Sequence, residues 1–220
     1  MRILITGTSR GIGLAAAQKF LKMGHEVIGL DILPSAIDDI HYQHIIVDIT
    51  KKEKLPNISD VEILFNNAGK QNDHDIENNL IGAMNVTEKY AFQPAIKSVL
   101  FNASASAHSG FEFPAYVASK AGLIGYMKNV ASRLSVYGAT CNSISLGGVI
   151  TDSNAPVLED QKMWKQIMDV TPLKKWATLS EVSEWVYFLT MINQSMSGQD
   201  VLIDNGEFNL NATFVWPKDK

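Results

Sequence analysis

Two residues of the chain, Tyr116 and Lys120, have the types and the spacing that proton transfer requires. They stand four positions apart in the run Tyr-Val-Ala-Ser-Lys, and residues four apart lie on the same face of an α-helix. A phenol titrates near pH ~10 in water, and an ammonium group beside it lowers that value. Tyr116 could therefore exchange protons nearer neutral pH. The same spacing is more commonly found on a solvated helix face, so the rest of the chain decides the interpretation.

The overall composition is that of a soluble globular protein with a single domain, residues 1–220. Of the 220 residues, 46% are apolar and 19% are charged, proportions typical of a chain that buries a full core. The formal net charge of −4 argues against a surface that binds nucleic acid or an anionic membrane. Cys141 is the only cysteine, so an internal disulfide is excluded and a reducing compartment is expected.

The N-terminal sequence indicates a cytoplasmic location. Met1 and Arg2 lead directly into an apolar run at residues 3–5, which leaves no room for a secretory leader. No apolar run approaches the roughly 20 residues that a membrane-spanning helix needs. No group of histidines, cysteines and carboxylates has the spacing of a metal site, so we expect no metal.

A glycine-rich turn near the N-terminus stands between a predicted strand and a predicted helix. The strand at residues 3–5 leads into Gly-Thr-Ser-Arg-Gly-Ile-Gly, and apolar residues at helical spacing follow until Gly24. A second strand, at residues 27–30, ends at Asp31, 18 residues after Gly13. Glycines let backbone N–H groups approach a pyrophosphate at a helix N-terminus, and the acid accepts hydrogen bonds from ribose hydroxyls. The stretch therefore predicts dinucleotide binding.

Further apolar runs alternate with helical patterns along the rest of the chain. The patterns predict strands at residues 44–47, 61–65, 99–101, 139–145 and 201–206, and helices at residues 75–90, 116–137 and 181–191. Such alternation, with right-handed crossovers, predicts an α/β fold: a three-layer, doubly wound, Rossmann-like parallel sheet of about seven strands. Asp48 follows the third strand, where it would either face the adenine end of a cofactor or form a turn with Ile49 and Thr50.

In their order along the chain, these motifs resemble those of the short-chain dehydrogenase/reductase family. The matches are TGxxxGxG at 6–13, NNAG at 66–69, YxxxK at 116–120 and the segment after the sixth strand at 145–151. Three more, at 171–173, 180–182 and 198–200, extend the resemblance over nearly the whole chain. The resemblance implies an oxidoreductase that moves a hydride between a nicotinamide and a secondary alcohol or its ketone.

The same resemblance implies roles for individual residues. Tyr116 would be the acid/base, Lys120 would lower the pKa of Tyr116 and hold the nicotinamide ribose, and Asn79 would anchor a proton-relay water. The cofactor would be held by loop and strand-end residues, namely Gly7, Ser9, Arg10, Gly11, Ile12, Gly13, Asp31, Asp48, Ile49, Asn67, Ala68, Gly69, Tyr116, Lys120, Val149 and Thr151.

The serine that orients the substrate carbonyl is less closely defined. Aligning residues 98–101 on the family's fifth strand makes it Ser104, twelve residues before Tyr116, with Ser106 and Ser109 as alternatives. The chain also departs from the family at Leu146, where a proline is usual. That change is expected to loosen the turn that holds the nicotinamide carboxamide.

Two connections, residues 31–48 and residues 69–79, are shorter than is usual in that family. We expect a reduced wall at the adenine side and an altered start of the helix that carries Asn79. Residues 152–175 contain an amphipathic piece with Met163 and Trp164, and we assign them as the substrate-binding segment.

The expected cofactor is NAD(H), with NADP(H) as the alternative. Asp31 would accept hydrogen bonds from the adenosine ribose and repel a 2′-phosphate, whereas Arg10 could reach that phosphate. Two other interpretations remain: a reductase of 3-oxoacyl thioesters, and an NAD-binding regulatory protein that keeps the fold without turnover. The sequence does not identify the small-molecule alcohol or ketone.

Small residues on the helix at 116–137, such as Ala118 and Gly125, permit close packing on another helix. Together with the family resemblance, they indicate a homo-oligomer, a dimer or a tetramer, formed through this helix and the one at 75–90. The tail at residues 207–220 is rich in aromatic residues and is expected to pack on a neighbouring subunit.

Overall fold

A seven-stranded sheet, parallel throughout, runs through the middle of the molecule. The structure is a computed structural model and describes residues 1–71, 73–111, 113–208 and 210. The strands are β1 (Arg2–Thr6), β2 (Glu26–Asp31), β3 (Tyr42–Ile46), β4 (Ile63–Asn66), β5 (Ser98–Asn102), β6 (Thr140–Leu146) and β7 (Asp200–Ile203). They lie in the order β3-β2-β1-β4-β5-β6-β7. This order confirms the prediction of a doubly wound, Rossmann-like α/β sheet.

Helices cover both faces of the sheet. They are α1 (Gly11–Lys22), α2 (Gly82–Tyr90), α3 (Ser106–Ser109), α4 (Pro114–Leu134), α5 (Ala155–Glu159), α6 (Gln161–Val170) and α7 (Leu179–Tyr187), with π-helical segments at Ile76–Ile81 and Phe188–Ile192. Helices α1 and α7 pack on one face of the sheet, and α2 and α4 pack on the other. Because both faces are covered, the β1 residues Ile3, Leu4 and Ile5 are completely buried. No helix among the described residues has the length and apolar character to cross a membrane.

The start and end of α4, the helix that carries Tyr116 and Lys120, follow from its sequence. Pro114 is its first residue, a position where the missing N–H is not needed, and Phe113 before it is extended, as residues before proline prefer. A 3₁₀ turn, Ser135–Tyr137, continues the helix to Gly138, whose φ of 64° is in the left-handed region. Tyr116 and Lys120 therefore lie on one rigid helix.

The crossover from β6 to β7 differs from the predicted right-handed pattern. The steps β1 to β2 and β6 to β7 run in opposite directions across the sheet, yet their helices, α1 and α7, lie on the same face. The two crossovers must therefore have opposite hands, so the prediction of uniform right-handed crossovers was wrong. On that face, α7 packs closely against α1.

The β3 edge of the sheet has short connections in place of crossover helices. Residues 32–41, which are all described, form no helix, and residues 47–62 contain one 3₁₀ turn, Lys52–Lys54. Side-chain hydrogen bonds hold the first connection instead. The Tyr42 hydroxyl donates to Thr8 Oγ1 (2.8 Å), and His44 Nε2 contacts the Leu33 carbonyl (2.8 Å). The absence of helices in these two connections agrees with the prediction that less protein covers the adenine side of the cofactor site.

Candidate active site

The glycine loop between β1 and α1 leaves its backbone accessible. Gly7 has a φ of 75°, which favours glycine, and a Cβ on Gly13 would lie 2.0 Å from the Gly7 carbonyl oxygen. The first turn of α1 carries no acidic residue, and its N-cap, Arg10, makes no capping hydrogen bond from its side chain. The N–H groups of that turn therefore remain available for a pyrophosphate. Ser9, Gly11 and Ile12 belong to the same loop and helix start, so these residues fit the cofactor that the fold implies.

Asp31 lies beside this loop at the end of β2. Its Oδ2 accepts a hydrogen bond from the Ser9 amide (2.9 Å), and its Oδ1 accepts one from the Leu33 amide (2.9 Å). The carboxylate is half-buried, whereas Arg10 is exposed. Two backbone donors thus fix the carboxylate in one orientation next to the pyrophosphate loop, where a ribose would lie.

Asp48 and Ile49 mainly stabilise their own turn and the core. Asp48 Oδ1 accepts hydrogen bonds from the Thr50 amide (2.9 Å) and the Thr50 hydroxyl (2.8 Å). Burial raises the pKa of Asp48, but those hydrogen bonds and nearby lysines outweigh it and lower the pKa below its usual value. Ile49 is 8% exposed and packs against Gly82. Of the two alternatives for Asp48, the hydrogen bonds favour the turn former.

The carboxyl ends of β1, β4 and β5 are tied together by amide side chains. The backbone amides of Asn67 and Ala68 both donate to Thr6 Oγ1 (3.0 and 2.9 Å). Asn67 Nδ2 donates to the Thr6 and Gly7 carbonyls (3.0 and 3.2 Å), and Asn102 Nδ2 donates to Asn67 Oδ1 (3.0 Å). The NNAG segment is therefore fixed directly beneath the glycine loop.

Lys120 is a deeply buried cation of the site. It is 4% exposed, and its Nζ donates to the Asn102 carbonyl (2.6 Å). The same Nζ lies 5.7 Å from the centroid of the Tyr116 ring. Burial lowers the pKa of Lys120 to about 8, and the charge of Asp75 acts in the opposite direction. A cation that is hydrogen-bonded, desolvated and close to a phenol can stabilise the phenolate during proton transfer.

Asn79 lies next to Lys120 but its side chain has its own partners. A Cβ built on Gly69 would be 2.9 Å from Asn79 Oδ1 and 3.4 Å from Lys120 Nζ, so the two groups flank that glycine. The Asn79 side chain bonds to the backbone N–H and C=O of Lys70 (2.7 and 2.8 Å) and donates to Ser119 Oγ (3.1 Å). It lies in the first π-helical segment, a distortion frequent at functional sites. The altered helix start and the role of Asn79 in holding a water both stay predictions.

Ser104 and Ser106 form a hydrogen-bonded pair after β5. They are 7% and 5% exposed, and the Ser104 hydroxyl donates to Ser106 Oγ (3.1 Å) while accepting from the Ser106 amide (3.2 Å). Ser109 lies at the far end of α3, where its hydroxyl accepts from the Phe111 amide (3.3 Å). The pairing favours Ser104 or Ser106 over Ser109.

The segment after β6 is held by an indole ring that sequence reasoning did not identify. A Cβ on Gly148 would lie 2.0 Å from Trp176 Cε2 and Nε1, so the ring lies flat on this glycine. Val149 is buried and pairs with Ala177, and Thr151 is half-buried at the start of a 3₁₀ turn. Trp164 of α6 meets Trp176 edge to face, with ring centroids 5.2 Å apart. Residues 152–175 therefore pack onto this side of the site.

Leu146, at the position where the family usually has proline, is the last residue of β6. It is 6% exposed and continues β6, paired with Ile203 of β7. The following residue, Gly147, donates its amide to the Ile203 carbonyl (3.0 Å). The β-ladder therefore holds the chain as far as Gly147, and the expected loosening of the turn that follows stays a prediction.

Asp75 and Asn102 are further residues of the site that sequence reasoning missed. Asp75 is 2% exposed and stands one turn before Asn79, where a buried carboxylate has no recognisable sequence signal. Asn102 could have been found as an amide at a strand's carboxyl end, the position shared by Asn66 and Asn67.

Comparison with known proteins agrees with this geometry. A family model described as enoyl-(acyl carrier protein) reductase matches residues 7–207. The 3-oxoacyl-[acyl-carrier-protein] reductase MabA of Mycobacterium avium is 28% identical over 93% of this chain and 88% of that protein. The 2-dehydro-3-deoxy-D-gluconate 5-dehydrogenase of Escherichia coli is 22% identical over 92% and 93% of the two chains.

Solved structures give the same result. An oxidoreductase of the short-chain dehydrogenase/reductase family from Burkholderia thailandensis superimposes with a TM-score of 0.85 and 25% identity, covering 96% of this chain and 93% of that one. Sequence, sheet order and site geometry therefore agree, and the chain belongs to the short-chain dehydrogenase/reductase family.

Proposed function

We propose that Tyr116, Lys120 and the Ser104–Ser106 pair form the catalytic centre of this NAD(P)-dependent oxidoreductase, which interconverts a secondary alcohol and its ketone. The observation that carries the proposal is the position of Lys120. Its buried ammonium group lies 5.7 Å from the Tyr116 ring and contacts the carboxyl end of β5. That edge of the sheet also carries the glycine loop and Asp31, so proton transfer and cofactor binding share one site.

The residues divide the reaction between them. A bound nicotinamide would supply or accept the hydride. The amides of the glycine loop would bind the pyrophosphate, Asp31 would bind the adenosine ribose, and Lys120 would bind the nicotinamide ribose. Tyr116 Oη gives a proton to the substrate oxygen during reduction and takes it back during oxidation. The serine hydroxyl donates a hydrogen bond to the same oxygen and orients the reacting carbon.

We further propose NAD(H) as the preferred cofactor. The supporting observation is that the Asp31 carboxylate is fixed by two backbone donors, whereas Arg10 is exposed. An oriented acid competes for the ribose hydroxyls more effectively than a flexible cation attracts a 2′-phosphate. NADP(H) is the alternative.

For the substrate, reduction of 3-oxoacyl thioesters is the second candidate. It is supported by relatives such as MabA, which carry that activity in their names. The third interpretation, a regulatory protein without turnover, is opposed by the buried lysine beside Tyr116.

We propose that residues 152–175 form the substrate-binding wall of this single domain, because Met163 of α6 is 43% exposed and Trp164 fixes α6 against Trp176.

A homo-oligomer, a dimer or a tetramer in the cytoplasm, completes the proposal. Ala118 and Ala121 are exposed on α4, and a Cβ on Gly125 would meet nothing within 4 Å. These small residues leave room for a second helix at close range. The expected packing concerns the C-terminal tail at residues 207–220, of which residues 209 and 211–220 lie outside the described residues. Light scattering at micromolar concentration tests the assembly, and a monomeric mass would exclude it.

The substitution Tyr116→Phe tests the catalytic assignment. It removes the proton carrier and leaves the pyrophosphate and ribose contacts in place, so turnover should fall by roughly 10²–10⁴-fold while NADH binding is retained. Nicotinamide absorbance with acetoacetyl-coenzyme A and a panel of ketones measures turnover, and NADH fluorescence measures binding. Tyr137→Phe, on the 3₁₀ turn after α4, is the matched control. Activity of Tyr116→Phe within a few-fold of the parent protein would refute the assignment.

A further inference from the structure

A cluster of polar side chains outside the proposed catalytic centre surrounds Asp200, the first residue of β7. Asp200 Oδ1 accepts hydrogen bonds from Ser143 Oγ (2.5 Å) and Ser145 Oγ (3.0 Å), both on β6. Asp200 Oδ2 accepts one from His108 Nε2 (2.7 Å). The Asp200 side chain is 7% exposed and the His108 side chain 40% exposed. Three donors thus satisfy a carboxylate that is almost fully buried.

Although the cluster contains serine, histidine and aspartate, its geometry is not that of a nucleophile. Both serine hydroxyls donate to the carboxylate and neither donates to the imidazole. Ser143 and Ser145 are also completely buried, so a substrate carbonyl cannot reach them. The cluster must therefore act by holding parts of the chain together.

The part that His108 holds is α3, the single helical turn that begins at Ser106 of the serine pair. A helix of one turn is not stable by itself and depends on tertiary contacts. Ser106 begins this turn, and Gly110, with a φ of 69°, ends it. On the N-terminal side the backbone is fixed to β6, because the Ala105 amide donates to the Leu146 carbonyl (2.9 Å). On the C-terminal side the bond from His108 crosses to β7.

We propose that His108 and Asp200 are positioning residues that fix the Ser104–Ser106 pair against the substrate oxygen, a proposal that rests on the proposed function. The two residues act as a clamp on the turn that follows the serines. The clamp works with neutral or protonated imidazole, since Nε2–H can donate to the carboxylate in either form. Ser143 and Ser145 keep the carboxylate facing the turn. Without the clamp, the serine hydroxyls can still donate a hydrogen bond, but they no longer have a defined position.

Kinetics of His108→Ala and His108→Gln with NADH and acetoacetyl-coenzyme A test the clamp. A misplacement of about 1 Å can cost about 10²-fold in rate, so we expect kcat of His108→Ala to fall at least about tenfold. NADH affinity should not change. Glutamine can still donate to Asp200, and His108→Gln should recover most of the lost rate. His41→Ala, at an exposed histidine near β3, is the matched control.

A double-mutant comparison distinguishes positioning from general damage. In a background with Ser104→Ala and Ser106→Ala, His108→Ala should change kcat by less than about twofold, because residues that act through one group are not additive. A tenfold loss that persists in that background would overturn the proposal.

Hydrogen–deuterium exchange gives a readout that does not depend on the substrate. The amides at residues 103–111 should exchange faster in His108→Ala than in the parent protein and in His41→Ala. Unchanged exchange would overturn the clamp even if the activity fell. If the parent protein reduced none of the substrates while exchange still increased, the proposed function would fail and the clamp would stand.

Discussion

Replacing Asp31 by asparagine should change the cofactor preference of this enzyme. The carboxylate lies at the end of β2 and accepts hydrogen bonds from the Ser9 and Leu33 amides (2.9 Å each). Asparagine has nearly the same shape and keeps one of the two acceptors, so Asp31→Asn removes mainly the charge. Asp38→Asn changes an exposed acid on the same connection and serves as the control.

The size of the effect follows from the charges. Two unit charges ~4 Å apart repel by about 4 kcal/mol at an effective dielectric near 20. Because Asp31 is half-exposed, solvent and salt reduce the repulsion of a 2′-phosphate, and we take about half, ~2 kcal/mol. That value corresponds to a gain of about 30-fold in kcat/KM for NADPH. For NADH, the loss of a charge-assisted bond to the ribose, about 1.5 kcal/mol, lowers kcat/KM by about tenfold.

The assay compares kcat/KM for NADH and NADPH in the parent protein, Asp31→Asn, Asp38→Asn and the double variant Arg10→Ala/Asp31→Asn. The ratio of the two cofactors should change by about 300-fold in Asp31→Asn and stay constant in Asp38→Asn. Removing Arg10 as well should reduce the gained NADPH activity. If the parent protein already uses NADPH better than NADH, Arg10 outweighs Asp31 and the reasoning is refuted.

Two further substitutions test the surroundings of the site. Burial lowers the pKa of Lys120 to about 8 and Asp75 raises it, so reductive kcat/KM should fall as pH rises through about 8. In Asp75→Asn this fall should occur at lower pH. In the control Asp73→Asn, the pH of the fall should not change. A shift to higher pH in Asp75→Asn would contradict the electrostatic argument. In Gly148→Ala the new Cβ would overlap the Trp176 ring. Such overpacking costs about 1–3 kcal/mol of stability, and Tm should fall by about 2–4 °C for each kcal/mol. An unchanged Tm would show that the ring is not fixed there.

The sequence predicted much of the sheet because strands such as β1, β4 and β5 are short apolar runs that end at an amide or just before a glycine. The sixth strand, for example, was expected at residues 139–145 and is found at Thr140–Leu146. The proton-transfer pair was predictable for a similar reason, since an i,i+4 spacing on a helix defines a shared face without any long-range information. Predicting that Tyr116 and Lys120 share a face therefore required only that α4 be a helix.

Contacts between distant segments could not be predicted in this way. His108 and Asp200 are 92 positions apart, and their contact depends on the register between β6 and β7. In that register Asp200 lies opposite Ser143, so its side chain shares a face with Ser143 and Ser145. A shift of one residue would turn Asp200 to the other face of the sheet and break all three of its hydrogen bonds. The clamp on the serine turn is thus a consequence of strand register, which residue types and local spacing do not determine.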